Sequence, residues 1–107
     1  RVFNDRFVSE TNAVGIKKLG AHHTDAQSYD AIHLFAKVMK EQNITGSKSN
    51  LESERLAIKE GLKTVNFSGI LGKNLCFAGN DAELPGYVIQ IKDQKWTLMA
   101  SHSPDPC

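Results

Sequence analysis

Hydrophobic side chains in the first two thirds of the chain recur at the spacing of α-helices. A short helix is predicted over residues 2–9, where apolar side chains lie four positions apart. A further helix is predicted over residues 51–65, with a capping box formed by Ser49 and Glu52 at its start. Gly61 lies inside that helix and weakens it by about 1 kcal/mol relative to alanine.

The strongest helical pattern lies between these two, over residues 24–42. Thr24 or Asp25 is expected to cap this second helix with a side-chain oxygen. Its apolar arc is wide and comprises Tyr29, Ala31, Ile32, Leu34, Phe35, Ala36, Val38 and Met39. Its narrower polar face comprises Asp30, His33, Lys37, Lys40 and Glu41. Since 107 residues offer few elements to cover so wide an arc, part of its partner surface is expected to lie outside this chain.

After residue 65 the apolar spacing changes from helical to alternating. Residues 66–72 are predicted to form a tight loop, because Gly69 and Gly72 permit sharp turns. Residues 73–77 are predicted to form a short strand, and residues 78–86 a turn-rich link. Asp81 is expected to hold a turn within that link.

The last regular element predicted by the pattern is a β-hairpin. Residues 87–92 and 95–99 alternate on either side of Asp93 and Gln94, with Tyr87, Ile89 and Ile91 on one face. Trp96 is expected to pack within the hairpin, and residues 100–107 are expected to be an irregular tail. The predicted fold class is therefore α+β, with three helices followed by a short strand and a β-hairpin.

Composition and charge exclude several classes of protein. Hydrophobic residues make up 40% of the chain and charged residues 23%, which is typical of a globular domain. The 13 basic and 12 acidic residues are dispersed, so the basic patch typical of nucleic-acid binding is missing. Two cysteines, Cys76 and Cys107, are too few for a disulfide framework. Cys76 is interpreted as a small packing residue, and the redox state of both cysteines stays open.

Residue types that carry catalysis or bind metals do not fall into a recognisable pattern. His22, His23 and Asp25 are neighbouring side chains that can ligate a metal ion. A third or fourth ligand at a recognisable spacing is lacking, so these three are interpreted as polar loop residues. His33 is expected on a solvated helix face. The phosphate-binding-loop pattern of a glycine, then a lysine followed by Ser or Thr, is absent, so the glycines are interpreted as turn residues. The chain is therefore predicted to be non-catalytic, with no metal site and no cofactor.

Three local patterns follow one another in a fixed order. The second helix begins with Ser28-Tyr29-Asp30-Ala31, and the third helix is followed by Phe67-Ser68-Gly69-Ile70-Leu71-Gly72. The remainder consists of Leu75-Cys76-Phe77, the turn Gly79-Asn80-Asp81, Tyr87-Val88-Ile89-Gln90-Ile91 and Lys95-Trp96. Together they resemble the carboxy-terminal third of the periplasmic solute-binding proteins of branched-chain amino acid ABC transporters, the type I leucine/isoleucine/valine-binding proteins. The resemblance covers nearly all of the chain.

The resemblance implies that residues 1–107 are a single partial domain, the carboxy-terminal segment of a two-lobed α/β periplasmic-binding-protein fold. It implies a receptor in the periplasm or at the cell surface, which closes around an amino acid or analogue and is then recognised by ABC permease subunits. The family position that contacts the ligand side chain falls on Thr24, with His23 beside it. Branched-chain binders carry an aromatic or apolar residue there, so Thr24 argues against a purely aliphatic ligand. Tyr29 is expected to pack against the sheet of the lobe.

Other interpretations stay open at the level of sequence. Thr24 could serve as a helix cap alone. A ligand-sensing domain of a signalling receptor would resemble the same family over the same residues. A small unrelated enzyme or regulatory domain would contain a compact pocket with a histidine of perturbed pKa. A fragment with uncovered apolar faces would form a homodimer.

Overall fold

A computed structural model describes residues 2–79 and 81–102 of the chain. The helices are α1 (Val2–Ala13), α2 (His23–Glu41) and α3 (Leu51–Thr64), and a single 3-10 turn, Lys48–Asn50, precedes α3. The strands are β1 (Phe77–Ala78), β2 (Asp81–Ala82), β3 (Gly86–Lys92) and β4 (Lys95–His102). The predicted α+β class, three helices followed by a short strand and a hairpin, is confirmed. Within the described part of the chain, no helix has the length and apolar character needed to span a bilayer.

The helix starts differ from the predicted ones in their capping. Thr24 or Asp25 was predicted to cap α2, but the N-cap is His22. Thr24 and Asp25 lie inside the first turn of the helix. Asp25 still stabilises the start of the helix, because its Oδ2 accepts the backbone N–H of His22 at 2.8 Å. The capping box predicted for Ser49 and Glu52 is also wrong. Asn50 is the N-cap of α3, and the 3-10 turn displaces Ser49 from the capping position.

The contact between α2 and α3 is close because α3 carries a glycine where the helices cross. Val38 on α2 is fully buried. A Cβ atom added to Gly61 would lie 2.8 Å from Val38 Cγ1 and 3.1 Å from Gln42 Cγ. Larger residues at position 61 would therefore separate the helices, which explains a glycine that helix propensity alone disfavours.

The buried face of α2 is not the one that the apolar pattern indicates. Its buried residues are Ala26, Asp30 and Val38. Asp30 is only 4% exposed, so its assignment to the solvated polar face was wrong. Much of the predicted apolar stripe faces outward, and the exposed fractions are 43% for Tyr29, 71% for Ile32, 46% for Phe35 and 41% for Met39. The apolar pattern therefore did not indicate which side of α2 is buried against the rest of this chain.

The strand predicted over residues 73–77 is shorter and lies further along the chain. Leu75 forms an isolated antiparallel bridge with Phe67, and β1 begins only at Phe77. β1 pairs with β2, a strand that lies inside the predicted turn-rich link. Asp81 consequently belongs to a strand and faces Ala78, rather than holding a turn. Two-residue strands carry too little alternation to be recognised from sequence.

The hairpin of β3 and β4 confirms the predicted pairing and turn. Asp93 and Gln94 both have positive φ angles, 50° and 60°, as a two-residue type I′ turn requires. A register shift between Val88 and Ile89 marks a β-bulge. β4 continues to His102, so the prediction of an irregular tail is wrong for residues 100–102. The rest of the predicted tail, residues 103–107, lies outside the described part.

The molecule is open and thin. Its accessible surface is 8655 Å², against about 5,900 Å² for a compact monomer of this mass. Its radius of gyration is 17.5 Å, against about 13 Å for a compact chain of this length. Its smallest dimension is 18 Å. Many side chains of the described helices and strands are therefore exposed to solvent.

Candidate functional site

The two residues predicted to contact a ligand, His23 and Thr24, form the first turn of α2. Both side chains are exposed. They are adjacent to the His22 cap and to Asp25, whose carboxylate accepts the His22 amide. The structure therefore brings imidazole, hydroxyl and carboxylate groups together at one end of the helix.

The connector that leads into this turn is held by α1. Asn4 Oδ1 accepts the backbone N–H of Ala21 at 2.8 Å. Gly20 lies against the same atom, since a Cβ added there would be 3.3 Å from Asn4 Oδ1. Asn4 therefore positions the backbone just before the predicted contact residues. Sequence reasoning missed it, because a bond across 17 residues leaves no periodic signal.

The chemistry of this turn suits a solute with both donors and acceptors. The amino end of a helix carries a partial positive charge that favours acceptor groups. Asp25 in the first turn already offsets that charge. The carboxylate of Asp25 would therefore repel a simple anion bound at this end of the helix. A zwitterion or an amide could accept from Thr24 and His23 while donating to the acidic side of the turn.

Asp30 makes the most specific polar contact in the described residues. Its Oδ1 accepts the N–H of Ile70 at 2.9 Å, and its Oδ2 accepts the N–H of Leu71 at 2.8 Å. Gly69 lies directly over the carboxylate, because a Cβ added there would be 2.5 Å from Asp30 Cγ, Oδ1 and Oδ2. Both carboxylate oxygens are thus used in fixing the loop of residues 66–72 to α2.

The same loop is closed on itself and on the next segment. Gly69 N–H donates to the carbonyl of Gly72 at 2.9 Å. Phe67 and Leu75 exchange two backbone bonds, of 3.0 and 2.7 Å. The loop is therefore tied at one end to α2 through Asp30 and at the other to the segment before β1. Asp30 has a structural role here rather than a catalytic one.

An apolar groove runs along α2 beside this loop. Its volume is about 240 Å³. Gln27, Asp30, Ala31 and Leu34 line it from α2, and its other lining residues are Phe67, Leu71, Leu75, Cys76, Phe77, Ala82 and Leu84. It is slightly smaller than the usual small-molecule pocket, which has about 300 Å³ or more. Its apolar lining suits a hydrophobic side chain better than a polar solute.

Tyr29 joins α1 to α2 through aromatic contacts. Its ring centroid lies 5.2 Å from that of Phe3 and 4.3 Å from that of His33. The lobe sheet against which Tyr29 was expected to pack lies outside this chain, and within the described residues the ring neighbours of Tyr29 are helical. His33 is exposed, as expected, but its ring contacts that of Tyr29 at a tilt of 46°.

Shifted pKa values occur in groups at the protein surface. The hydrogen bond to Glu10 raises the pKa of Arg6, and the hydrogen bond from Lys63 lowers the pKa of Glu60. Glu54 binds the loop before α3, and the hydroxyl of Thr45 lowers the pKa of its carboxyl group. Each of these contacts favours the charged form of Arg6, Glu54 or Glu60, which is the form already present at neutral pH.

Cys76 is buried and disulfide-bonded in the structure. The interpretation as a packing residue therefore described its burial but not its chemistry. The one other cysteine of the sequence, Cys107, lies outside the described residues. Within residues 2–79 and 81–102, no three His, Cys, Asp or Glu side chains are grouped closely enough to hold a metal ion.

Comparisons with protein-family models, with curated proteins and with solved structures gave no match to this chain.

Proposed function

We propose that this chain is the carboxy-terminal segment of the extracytoplasmic solute-binding component of an ABC transporter. In this proposal the complete receptor is non-catalytic and closes two lobes around an amino acid or a related small polar solute. The closed receptor then delivers the solute to the permease subunits.

The observation that carries the proposal is that the residues behind the family resemblance are joined in space. Asp30, from the first pattern, binds the amides of Ile70 and Leu71 in the second. Phe67, also in the second pattern, pairs with Leu75 in the third. These contacts make the three patterns parts of one packed unit, as the resemblance implies.

The uncovered side of α2 is a second, independent support. Tyr29, Ile32, Phe35 and Met39 lie along one stripe and are each more than 40% exposed. The apolar groove lies on another side of the same helix. A helix that is apolar on several sides is stable when other elements cover those sides. The sheet of a lobe, supplied by polypeptide outside residues 1–107, is the cover that the proposal provides.

The disulfide at Cys76 supports the proposed location. Disulfides persist in the periplasm and outside the cell, whereas cytosolic thiols are kept reduced. A buried, disulfide-bonded cysteine therefore fits a protein exported across the membrane.

Within the receptor, His23 and Thr24 are proposed as ligand contacts from this segment. Their exposure at the end of α2 leaves both side chains open to a solute in the cleft. Since Thr24 is polar and Asp25 lies in the same turn, the solute is proposed to carry polar groups beyond an aliphatic chain.

A thermal-shift screen of the longer polypeptide tests the proposal. Amino acids, amides and aromatic acids are added singly, and a ligand at about 100 times its Kd should stabilise the native state by about 2.7 kcal/mol. Thr24→Ala and His23→Ala should weaken the binding of that ligand. Ser9→Ala, which removes an exposed hydroxyl on α1, should not. A panel without any stabilising compound would contradict the proposal.

A transport assay separates the receptor from a sensing domain of the same fold. Membrane vesicles with the cognate permease should accumulate the identified solute only when the receptor is present. Binding without any effect on uptake would assign the chain to a signalling receptor instead.

A further inference from the structure

The hairpin of β3 and β4 exposes one continuous apolar face. Residues that lie opposite each other in an antiparallel pair point to the same side, so the register places one set together. The set consists of Tyr87, Ile89, Ile91, Trp96, Leu98 and Ser101. Below, these six residues are called the hairpin face. None of them is charged.

Within residues 2–79 and 81–102, the hairpin is separate from the other helices and strands. Among the described residues, neither β3 nor β4 approaches another helix or strand. The five large side chains of the hairpin face are between 55% and 73% exposed. An isolated two-stranded hairpin is at best marginally stable in water. This hairpin therefore needs cover on its apolar side to be stable.

The two sides of the hairpin differ in chemistry. Gln90 and Thr97 lie opposite each other on the second side, and so do Lys92 and Lys95. Two lysines directly opposite each other repel, and water must solvate them. The second side also carries Val88, which is 62% exposed and lies opposite Ala100, but its polar and charged pairs next to the turn favour solvent. The hairpin face is therefore the more apolar of the two sides.

We propose that the hairpin face is the site at which a second copy of this chain binds. A two-fold axis through the face makes each copy the cover of the other, since an isologous interface uses the same patch twice. The proposal concerns this chain itself and does not depend on the proposed transport function.

The large side chains of the hairpin face supply about three quarters of the area that a stable interface buries on each partner. Its five large side chains expose on the order of 600 Å². Stable complexes bury about 800 Å² on each partner, and monomers seldom leave apolar patches above about 300–600 Å² exposed. Flanking atoms of the two strands would supply the remainder. Two sheets stacked in this way lie about 10 Å apart with their side chains interleaved.

Charge also favours a second copy. Because the face holds no charged side chain, bringing two copies together buries no ion. The lysines of both copies stay on the outer sides. The formal charge of each chain is +1, so long-range repulsion between copies is weak. Tyr and Trp, both present on the face, are enriched at interfaces and among the residues that dominate binding.

Sedimentation equilibrium of the whole chain, from about 1 µM to about 200 µM, tests this inference. The mass should rise with concentration from 11.8 kDa towards twice that value. Ile89→Lys places a charge at the centre of the face and should weaken association about 30-fold or more. Val88→Lys is the matched control, because it makes a similar change on the other side of the same strand and should dimerise normally.

Trp96 gives a second readout, because it is the one tryptophan of the sequence. It is 73% exposed in the single chain, so its emission should shift to shorter wavelength as the concentration rises. The shift should be absent in Ile89→Lys and present in Val88→Lys. Far-UV circular dichroism at low concentration would check that both variants keep the wild-type fold.

Two outcomes would overturn the inference. One is a folded chain that stays at 11.8 kDa across the whole range. The other is a dimer that Ile32→Lys on α2 disrupts and Ile89→Lys does not, since the second copy would then sit on the helix. Neither outcome bears on the ligand screen, which is performed on the longer polypeptide and fails separately.

Discussion

Replacing Asp30 is the sharpest test of how this chain is held together. Its carboxylate is 4% exposed and accepts two backbone amides, at 2.9 and 2.8 Å. A hydrogen bond to a charged group contributes about 1.5–3 kcal/mol, and unpaired buried donors add a further cost. Ile70 is 41% exposed, so water relieves part of that cost. We therefore expect Asp30→Ala to lower the free energy of unfolding by about 3 kcal/mol.

Asp30 and Gly69 can be tested together in a double-mutant cycle. A Cβ at position 69 would be 2.5 Å from the Asp30 carboxylate, so Gly69→Ala should cost about 1–3 kcal/mol in the wild-type background. The conflict disappears when Asp30 is alanine. The double variant should then be more stable than the sum of the single effects predicts, by about 1–2 kcal/mol.

Urea unfolding followed by far-UV circular dichroism measures each free energy by linear extrapolation. Asp5→Ala, on the exposed surface of α1, is the control and should change stability by less than about 0.5 kcal/mol. Should Asp30→Ala be unfolded in water, Asp30→Asn serves in its place, because it keeps one acceptor and sets an amide group against the second N–H. A cost below about 0.5 kcal/mol for Asp30→Ala, or strict additivity in the cycle, would refute the assigned contacts.

Three further outcomes follow from burial, the disulfide and charge. Val38→Ala should cost about 2 kcal/mol, whereas Phe35→Ala, at a residue 46% exposed, should cost less than about 1 kcal/mol in this chain; equal costs by urea unfolding would contradict the helix placement. Cys76→Ser should lose about 3 kcal/mol if the disulfide closes the 31-position span to Cys107, and peptide mapping without reductant should yield that cross-linked pair. The pKa of Glu54 lies below its ordinary value of 4.5, so its contribution to stability is present above that pH and is lost as the pH falls through the folded-state pKa. Thr45→Val should raise the Glu54 pKa in an NMR titration, and an unchanged value would contradict the bond.

Elements that are specified by residues close together in the sequence were predictable. α2 was predicted within one residue at each end, and the hairpin turn at Asp93 and Gln94 was predicted at its position. Both signals are local, because a helix repeats every 3.6 residues and a hairpin needs two residues that tolerate positive φ. The bulge in the hairpin and the two-residue strands β1 and β2 were missed, since they depend on pairing rather than on period.

The contacts that fix the candidate site were not predictable in this way. Asp30 reaches amides 40 and 41 positions away, and Asn4 reaches an amide 17 positions away. A spacing argument reads Asp30 as solvent-facing because carboxylates are seldom buried unless paired. Gly69 carried a usable signal, since a glycine can mark a close approach of backbone to another group. That signal did not indicate which group approaches.

On α2 one charged residue is buried while several large apolar residues are exposed, which reverses the usual arrangement at those positions. A solitary surface helix buries its apolar stripe and solvates its carboxylates. Here Asp30 is buried, while Phe35 and Ile32 on another side are 46% and 71% exposed. The buried carboxylate fixes the loop of residues 66–72 on one side, and that loop helps to form a groove lined by apolar side chains. Apart from the contact of Tyr29 with Phe3 of α1, the outward stripe is largely exposed within the described part of this chain. It becomes intelligible if another layer of polypeptide covers it, and truncating Phe35 should then cost about 3–5 kcal/mol in the longer protein, several times the cost expected here.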